Sequence, residues 1–190
     1  MAEMDLALSV AKLVDELHKA GTPPSEGDLG RLAEVIARGF KVSKGEVAIL
    51  RLLPETRILS FLFPIKLASV GSIPLTTTHS LAAKNVRDRR GEIVNNFPTY
   101  KHPTVFEAVD LIEGEKAMPI QKIMSSPMMV EGKVIGVIQV SRKGRPGEAA
   151  GPDFTSAELA QLAAVGSMVG KYLAEATALT PARAKPPARD

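Results

Sequence analysis

The side chains that could perform metal or nucleophilic chemistry are few and scattered in this sequence. Its three histidines are His18, His79 and His102, and no two of them have the short H-x-x-x-H type of spacing that gathers transition-metal ligands. Without cysteine, the chain can form no disulfide, thiolate metal site or cysteine nucleophile. A phosphate-binding glycine loop, a dinucleotide fingerprint, a G-x-S-x-G motif and a paired-carboxylate motif are also missing. The sequence therefore predicts no catalytic residue, no metal site and a protein that is not an enzyme.

The clearest structural pattern is a β-hairpin that runs from Ile120 to Lys143. Its turn is the pair Glu131-Gly132, where glycine tolerates the positive φ of a tight hairpin. Strand alternation places Val134, Gly136, Ile138 and Val140 on one face of the second strand, and Ile135, Val137 and Gln139 on the other. Because both faces carry apolar residues, this strand is expected to lie centrally in a sheet that is covered on both sides.

A long helix is predicted after the hairpin and a glycine-containing loop. Thr155 and Glu158 have the spacing of a capping box, and Phe154 and Leu159 the spacing of a hydrophobic staple. The preceding chain predicts a helix at Met4–Ala20, a second helix capped by Ser25 and Asp28, a hairpin of Glu46–Leu53 and Ile58–Phe63, a strand at Ser72–Leu75, a helix at Thr78–Arg89 and a short helix at Thr104–Ile112. Pro74 indicates that the strand at Ser72–Leu75 lies at a sheet edge.

The order and spacing of these elements resemble the GAF domain family, a sensory and regulatory module. The resembling segments are Ser126-Pro127-Met128, Gly132, Val134–Ile138, Phe154-Thr155, Glu158-Leu159 and the earlier stretch Ser80–Phe97. The resemblance extends from near Ser25 to near Ala176. It implies an α+β fold with one antiparallel sheet of five or six strands. The terminal helices would pack on one face of this sheet, and short helices and pocket loops on the other.

The resemblance also implies a ligand pocket, whose wall would be formed by the segment from Asn95 to Glu115. The candidate pocket residues are Ser72, Thr77, Thr78, His79, Asn95, Asn96, Phe97, Tyr100, Phe106 and Ile123. We expect a regulatory domain that binds a small molecule there and passes the signal to its terminal helices. The alternative is a module of the same fold that binds no ligand and serves in dimerisation or protein docking.

Four ligand or activity classes found among GAF relatives can be compared with the residues of this chain. The usual bilin attachment and the methionine sulfoxide reductase branch both require cysteine, which the chain lacks. Arg142-Lys143, Phe154 and Glu158 match the cyclic-nucleotide pattern only in part, and a helix cap with Lys143 paired to Glu158 explains the same residues. Haem would need a histidine such as His79 or His102. We therefore predict neither a cyclic nucleotide nor haem, and the ligand stays unknown.

The two terminal helices also bear on the oligomeric state. The last helix carries a second apolar stripe, and a second copy of the chain could cover it, since GAF domains commonly dimerise through their first and last helices. The residues predicted for such a homodimer are Leu13, Leu17, Val165, Met168 and Tyr172. The alternative is that the first and last helices pair within one chain.

Length and charge suit one small domain of 190 residues, with a net charge of only +3. Most of this charge belongs to the tail, so nucleic acid is not an expected partner. No apolar run is long enough for a membrane span, and no signal peptide is evident, so the protein is expected in the cytoplasm with a small molecule or another protein as partner. The predicted organisation is an N-terminal helix and linker at 1–24, a GAF-like domain at 25–177 and a disordered basic, proline-rich tail at 178–190.

Overall fold

The computed structural model describes residues 5–102, 104–111 and 116–179, with no side-chain detail beyond residue 176. Its strands are β1 (Val47–Leu53), β2 (Ile58–Phe63), β3 (Ser72–Pro74), β4 (Glu92–Val94), β5 (Ile120–Val130) and β6 (Lys133–Lys143). Its α-helices are α1 (Leu6–Ala20), α2 (Glu26–Phe40), α3 (Ile65–Ala68), α4 (Leu81–Asp88) and α5 (Ser156–Leu179). Within the described residues the six strands form one antiparallel sheet in the order β3-β2-β1-β6-β5-β4. The predicted fold class is confirmed, and β3 with Pro74 lies at the edge, as expected.

The predicted hairpin consists of β5 and β6, and its turn has positive φ at both Glu131 (47°) and Gly132 (74°). Strand β6 lies between β1 and β5, so its predicted central position is also confirmed. The assignment of its faces is wrong at one end. Met128 pairs with Gly136 but Met129 pairs with Val134, so one extra residue bulges from β6. Because a bulge reverses the alternation beyond it, Val134 packs on the face opposite to Ile138.

Helices α1, α2 and α5 pack on one face of the sheet and share a single core cluster with it. Two glycines let α5 approach the sheet closely. A Cβ at Gly166 would lie 3.0 Å from Cγ2 of Ile138, and one at Gly170 would lie 3.1 Å from Cβ of Met128. No described helix combines the length and the apolar character that a membrane span requires.

The terminal helices pack against each other within one chain, as in the alternative that the sequence left open. The side chains of Leu13, Leu17, Val165 and Tyr172 are buried there, and that of Met168 is half-buried. Tyr172 also contacts the His18 ring edge-on, with 5.2 Å between the ring centroids. The four buried residues are therefore occupied by intrachain packing.

The predicted helix caps are present in the structure. At α5, the carboxylate of Glu158 accepts a hydrogen bond from the backbone N–H of Thr155 (2.8 Å), and the Thr155 hydroxyl accepts one from the backbone N–H of Glu158 (3.2 Å). The same reciprocal pair joins Ser25 and Asp28 at the start of α2. Phe154, the first residue of the predicted staple, is buried.

Two helices on the other face of the sheet are shorter than predicted. Helix α4 begins after Ser80, whose hydroxyl accepts the backbone N–H of Ala83 (3.2 Å). This cap leaves Thr78 and His79 in the preceding turn. The short helix predicted at Thr104–Ile112 is a single 3₁₀ turn at Thr104–Glu107, and its predicted last residue lies outside the described residues. Helix α5 continues to Leu179, two residues into the tail predicted at 178–190, and the rest of that tail lies outside the described residues.

Candidate functional site

A cavity of about 90 Å³ lies on the face of the sheet opposite to the terminal helices. It is lined by strands of the sheet, by the start of α4 and by a wall that consists of residues 97–107 without residue 103. Most of its lining is apolar and includes the side chains of Phe61, Leu67, Ile73, Phe97, Phe106 and Ile123. Ligand pockets usually measure about 300–1,000 Å³, so this cavity suits only a small molecule.

The ring of His102 contacts three other groups of the wall. This ring stacks on Phe97, with 4.0 Å between the centroids. Its Nδ1 lies 2.6 Å from the backbone carbonyl oxygen of Tyr100, and its Nε2 contacts the carboxylate of Glu107. Both ring nitrogens of His102 are therefore engaged by groups of the wall. The side chains of His102 and Glu107 are both about nine-tenths buried.

Glu107 also connects the wall to the sheet through a hydrogen bond. The second oxygen of its carboxylate accepts a hydrogen bond from the backbone N–H of Ile120, the first residue of β5. One side chain thus holds both the wall histidine and a central strand. Because both oxygens of this carboxylate have a partner, the wall has a defined resting position.

A second polar cluster lies at the end of the cavity where the chain enters β1. The carboxylate of Glu46 accepts hydrogen bonds from the backbone N–H groups of Ser43 (2.7 Å) and Lys143 (2.5 Å). The ammonium group of Lys143 donates to the carbonyl oxygen of Gly45 (3.1 Å). The hydroxyl of Ser141 donates to the backbone carbonyl oxygen of Glu46 (3.2 Å). The sequence reasoning missed this cluster, although Ser43 and Glu46 have capping-box spacing before an apolar run.

One neutral amide reaches the cavity from β6. The side-chain amide nitrogen of Gln139, Nε2, donates to the hydroxyl of the fully buried Ser125 (3.0 Å). Gln139 was placed on a strand face by the sequence but was not proposed as a site residue. The sequence did contain an indication of its importance, because a glutamine between valines and isoleucines in a central strand needs a polar partner inside the protein.

Three of the predicted pocket residues line the cavity together, namely Phe97, Phe106 and Ile123. Tyr100 stacks on the outer side of this group, with its ring 5.7 Å from that of Phe97. The remaining predicted residues do not line the cavity: Ser72, Thr77, Thr78, His79, Asn95 and Asn96. Ser72 is exposed on the edge strand, Thr77 to His79 form the turn before α4, and the side chain of Asn96 is exposed. Turn and edge positions explain why these polar residues point elsewhere.

Asn95 has a different role, which links the cavity wall to α5. Its side-chain nitrogen donates to the carbonyl oxygen of Phe154 (3.1 Å), and its side-chain oxygen accepts the N–H of Phe154 (2.9 Å). Phe154 immediately precedes the cap of α5, and Asn95 lies two residues before Phe97 of the cavity wall. The wall and the start of α5 are therefore joined by two hydrogen bonds.

The residues of the partial cyclic-nucleotide match contact one another. The guanidinium group of Arg142 lies over the ring of Phe154, 4.5 Å from its centroid, and 3.7 Å from the carboxylate of Glu158. The predicted pairing of Lys143 with Glu158 is wrong, because the register of β6 directs Lys143 toward Gly45. Among the described residues, no group of three histidine, aspartate or glutamate side chains is arranged to hold a metal ion.

Comparison with known proteins supports the fold. The GAF domain family model matches residues 31–173. The solved GAF domain of a Coxiella burnetii phosphoenolpyruvate-protein phosphotransferase is similar to this chain at 13% identity and a TM-score of 0.65, over 94% of this chain and 98% of that one. The corresponding domain from Acinetobacter is 17% identical, with a TM-score of 0.63, over 92% and 97% of the two chains. No curated protein sequence matches the chain.

A third solved structure corrects the prediction that the protein is not an enzyme. The free methionine-R-sulfoxide reductase of Neisseria meningitidis, solved with its substrate, is 11% identical with a TM-score of 0.63, over 94% of this chain and 92% of that one. Structures of this fold thus include enzymes, and a likeness at this identity concerns the fold alone. The exclusion of enzymatic activity was therefore wrong.

The GAF domain family model matches residues 31–173, which is most of this chain, and this match shows that the chain belongs to the GAF domain family.

Proposed function

We propose that this GAF domain is a regulatory domain that binds a small molecule in the cavity beneath the wall. The observation that carries the proposal is the mostly apolar cavity, whose wall is held in place by the contact between His102 and Glu107. Small-molecule sites are mostly apolar with a few converging polar groups, and this lining has that composition.

The contacts of Asn95 supply a route from the cavity to the terminal helices. A ligand that contacts Phe97 would press on the wall, and the wall is connected through Asn95 to Phe154 and the first turn of α5. Helix α5 packs along α1, so both terminal helices would respond together. Such a response requires that the ligand bind one arrangement of the wall more tightly than the other.

A pair of matched variants tests whether a ligand occupies the cavity. Ala48→Leu adds three carbon atoms to a residue that lines the cavity, whereas Ala164→Leu adds the same atoms to an exposed position on α5. A screen of small metabolites would measure the thermal midpoint of both variants and of the wild type. At ten times its Kd, a ligand stabilises by about 1.4 kcal/mol, which raises the midpoint by about 3–6 °C.

We expect at least one compound to stabilise the wild type and Ala164→Leu but not Ala48→Leu. A compound that stabilises all three proteins equally would bind elsewhere. If no compound in a broad screen is stabilising, the small volume of the cavity would favour the alternative, a GAF domain that acts by docking to another protein.

A homodimer stays a prediction, with a restriction that the structure adds. The buried side chains of Leu13, Leu17, Val165 and Tyr172 are occupied within one chain, so a second copy would have to use the outer surface of α1 and α5. Leu8 on that surface is 52% exposed. Native mass spectrometry would show a mass near twice 20.2 kDa if the dimer forms, and Leu8→Glu would then restore the monomer if this surface is used.

A further inference from the structure

The charged side chains that line the cavity are already paired within the protein. Glu46 accepts two backbone N–H groups, and Lys143 donates to a backbone carbonyl oxygen. Glu107 accepts from His102 and from the backbone of Ile120. Each positive or negative charge therefore has a partner that a ligand would have to displace.

This pairing disfavours a charged ligand. A charge that enters a mostly apolar space loses its hydration, and it recovers that loss only if an opposite charge or several hydrogen bonds face it. Here an incoming carboxylate would compete with Glu107 for His102, and an incoming ammonium would compete with His102 for Glu107. Either exchange would leave one buried charge without its partner.

Three neutral groups that line the cavity keep unused hydrogen-bonding capacity, and one is the hydroxyl of Ser141, which donates to Glu46 and whose oxygen can still accept. The amide nitrogen of Gln139 donates to Ser125, and its carbonyl oxygen has no partner among the described residues. The hydroxyl oxygen of the buried Ser80 accepts the N–H of Ala83, so its hydrogen is available to donate. The lining thus includes neutral acceptors at Gln139 and Ser141 and a neutral donor at Ser80, and a hydroxyl group can bond with either kind.

We propose that the ligand of this cavity is a small uncharged molecule with an apolar body and one hydroxyl or similar neutral polar group. This inference rests on the proposed function and specifies the chemistry of its site. The volume limits the size, since an engineered cavity of about 150 Å³ takes benzene and this one measures about 90 Å³. A branched molecule of about five non-hydrogen atoms is therefore a suitable probe.

The test compares three probes that share one carbon skeleton, namely isobutanol, isobutyrate and isobutylamine. Each is titrated into the full ¹⁵N-labelled chain at the same pH and ionic strength, and backbone amide shifts are followed by NMR. We expect isobutanol to shift the amides of Ala82 and Gln139, which line the cavity. Its Kd should be at least about tenfold lower than that of either charged probe, because a buried charge without a partner is costly.

Two variants of Gln139 test its part in recognition. Gln139→Met keeps the length of the side chain but removes the acceptor, and a lost neutral hydrogen bond should weaken isobutanol binding about 2- to 12-fold. Gln139→Glu introduces a carboxylate with no cation assigned to it. It should shift the preference toward isobutylamine. Because the three probes are first compared on the wild type, the inference can be tested even if a variant folds poorly.

The outcomes separate the ligand class from the function. If a charged probe binds the wild-type cavity as tightly as isobutanol, the inference is overturned and the proposed function stands. The same holds if no probe binds but a larger or charged metabolite stabilises the wild type and not Ala48→Leu. If neither the probes nor the metabolites act at the cavity, both the inference and the proposed function are overturned.

Discussion

The substitution Asn95→Ala tests the connection between the cavity wall and α5. Asn95 is half-buried, and its amide makes both hydrogen bonds to the backbone of Phe154. The next residue supplies a matched control, because the side chain of Asn96 is exposed and makes no cap hydrogen bond. The two variants remove the same atoms from adjacent positions, so they differ only in the contacts that are lost.

The expected loss for Asn95→Ala can be estimated from these contacts. Each neutral hydrogen bond contributes about 1 kcal/mol, so two bonds give about 2 kcal/mol of unfolding free energy. In a domain of this size, that loss lowers the thermal midpoint by about 4–8 °C. For Asn96→Ala the change should stay within about 0.5 kcal/mol, or 1–2 °C.

Thermal and urea unfolding of the wild type and both variants provide the stability values. Hydrogen exchange then locates the effect, since amides in the first turn of α5 should exchange faster in Asn95→Ala than in Asn96→Ala. Equal stability and equal exchange in the two variants would refute the role assigned to Asn95. A ligand that still binds Asn95→Ala but no longer shifts the amides of α5 would establish the proposed route.

Three further predictions concern single residues of the fold. Gly136→Ala should lower the free energy of unfolding by about 3 kcal/mol or more, because the new Cβ would lie 2.0 Å from the backbone oxygen of Leu50. The control Gly27→Ala should be neutral or stabilising, because its Cβ meets only one atom, at 3.6 Å. Equal urea midpoints for the two variants would contradict the close approach at Gly136. The hydrogen bond from the backbone of Ser25 lowers the pKa of Asp28, so its stabilisation is present above about pH 4 and is lost as the pH falls; the stability difference between wild type and Asp28→Asn should therefore shrink in acid, and a difference independent of pH would be the opposing result. Burial raises the pKa of Tyr172, so its contribution is present below about pH 10 and is lost as the pH rises; Tyr172→Phe should lose less stability between pH 9 and 11, and parallel alkaline curves would count against this.

The elements that the sequence predicted well depend on neighbours in the chain. The capping box of Thr155 and Glu158 spans three residues, and the turn at Glu131-Gly132 spans two. A local pattern of this kind is complete in the sequence. The extra residue in β6 is not local, because the bulge exists only opposite Met128 and Met129. Alternation along one strand cannot show where its partner strand changes register.

The same distinction explains why the sequence did not decide whether the terminal helices pair within one chain or between two copies. An apolar stripe on α5 shows that something must cover it, but a helix of the same chain and a second copy satisfy the stripe equally. Tyr172 and Leu13 are buried by the return of α1 to α5, a contact between opposite ends of the sequence. Only the three-dimensional path of the chain decides between the two.

For a related reason, the structure places the apolar and the polar candidate residues of the site differently. The apolar candidates Phe97, Phe106 and Ile123 line the cavity, because burial of a large apolar side chain is favoured wherever the chain can reach the interior. Polar candidates such as Asn95 do not line it, and the amide of Asn95 instead bonds to the backbone of Phe154, as amides near turns often bond to the backbone. Gln139 lies in a central strand, where local partners are absent and a polar side chain must be satisfied across the fold. In a mostly apolar cavity, polar residues within buried strands are therefore better candidates for ligand contacts than polar residues in the surrounding loops.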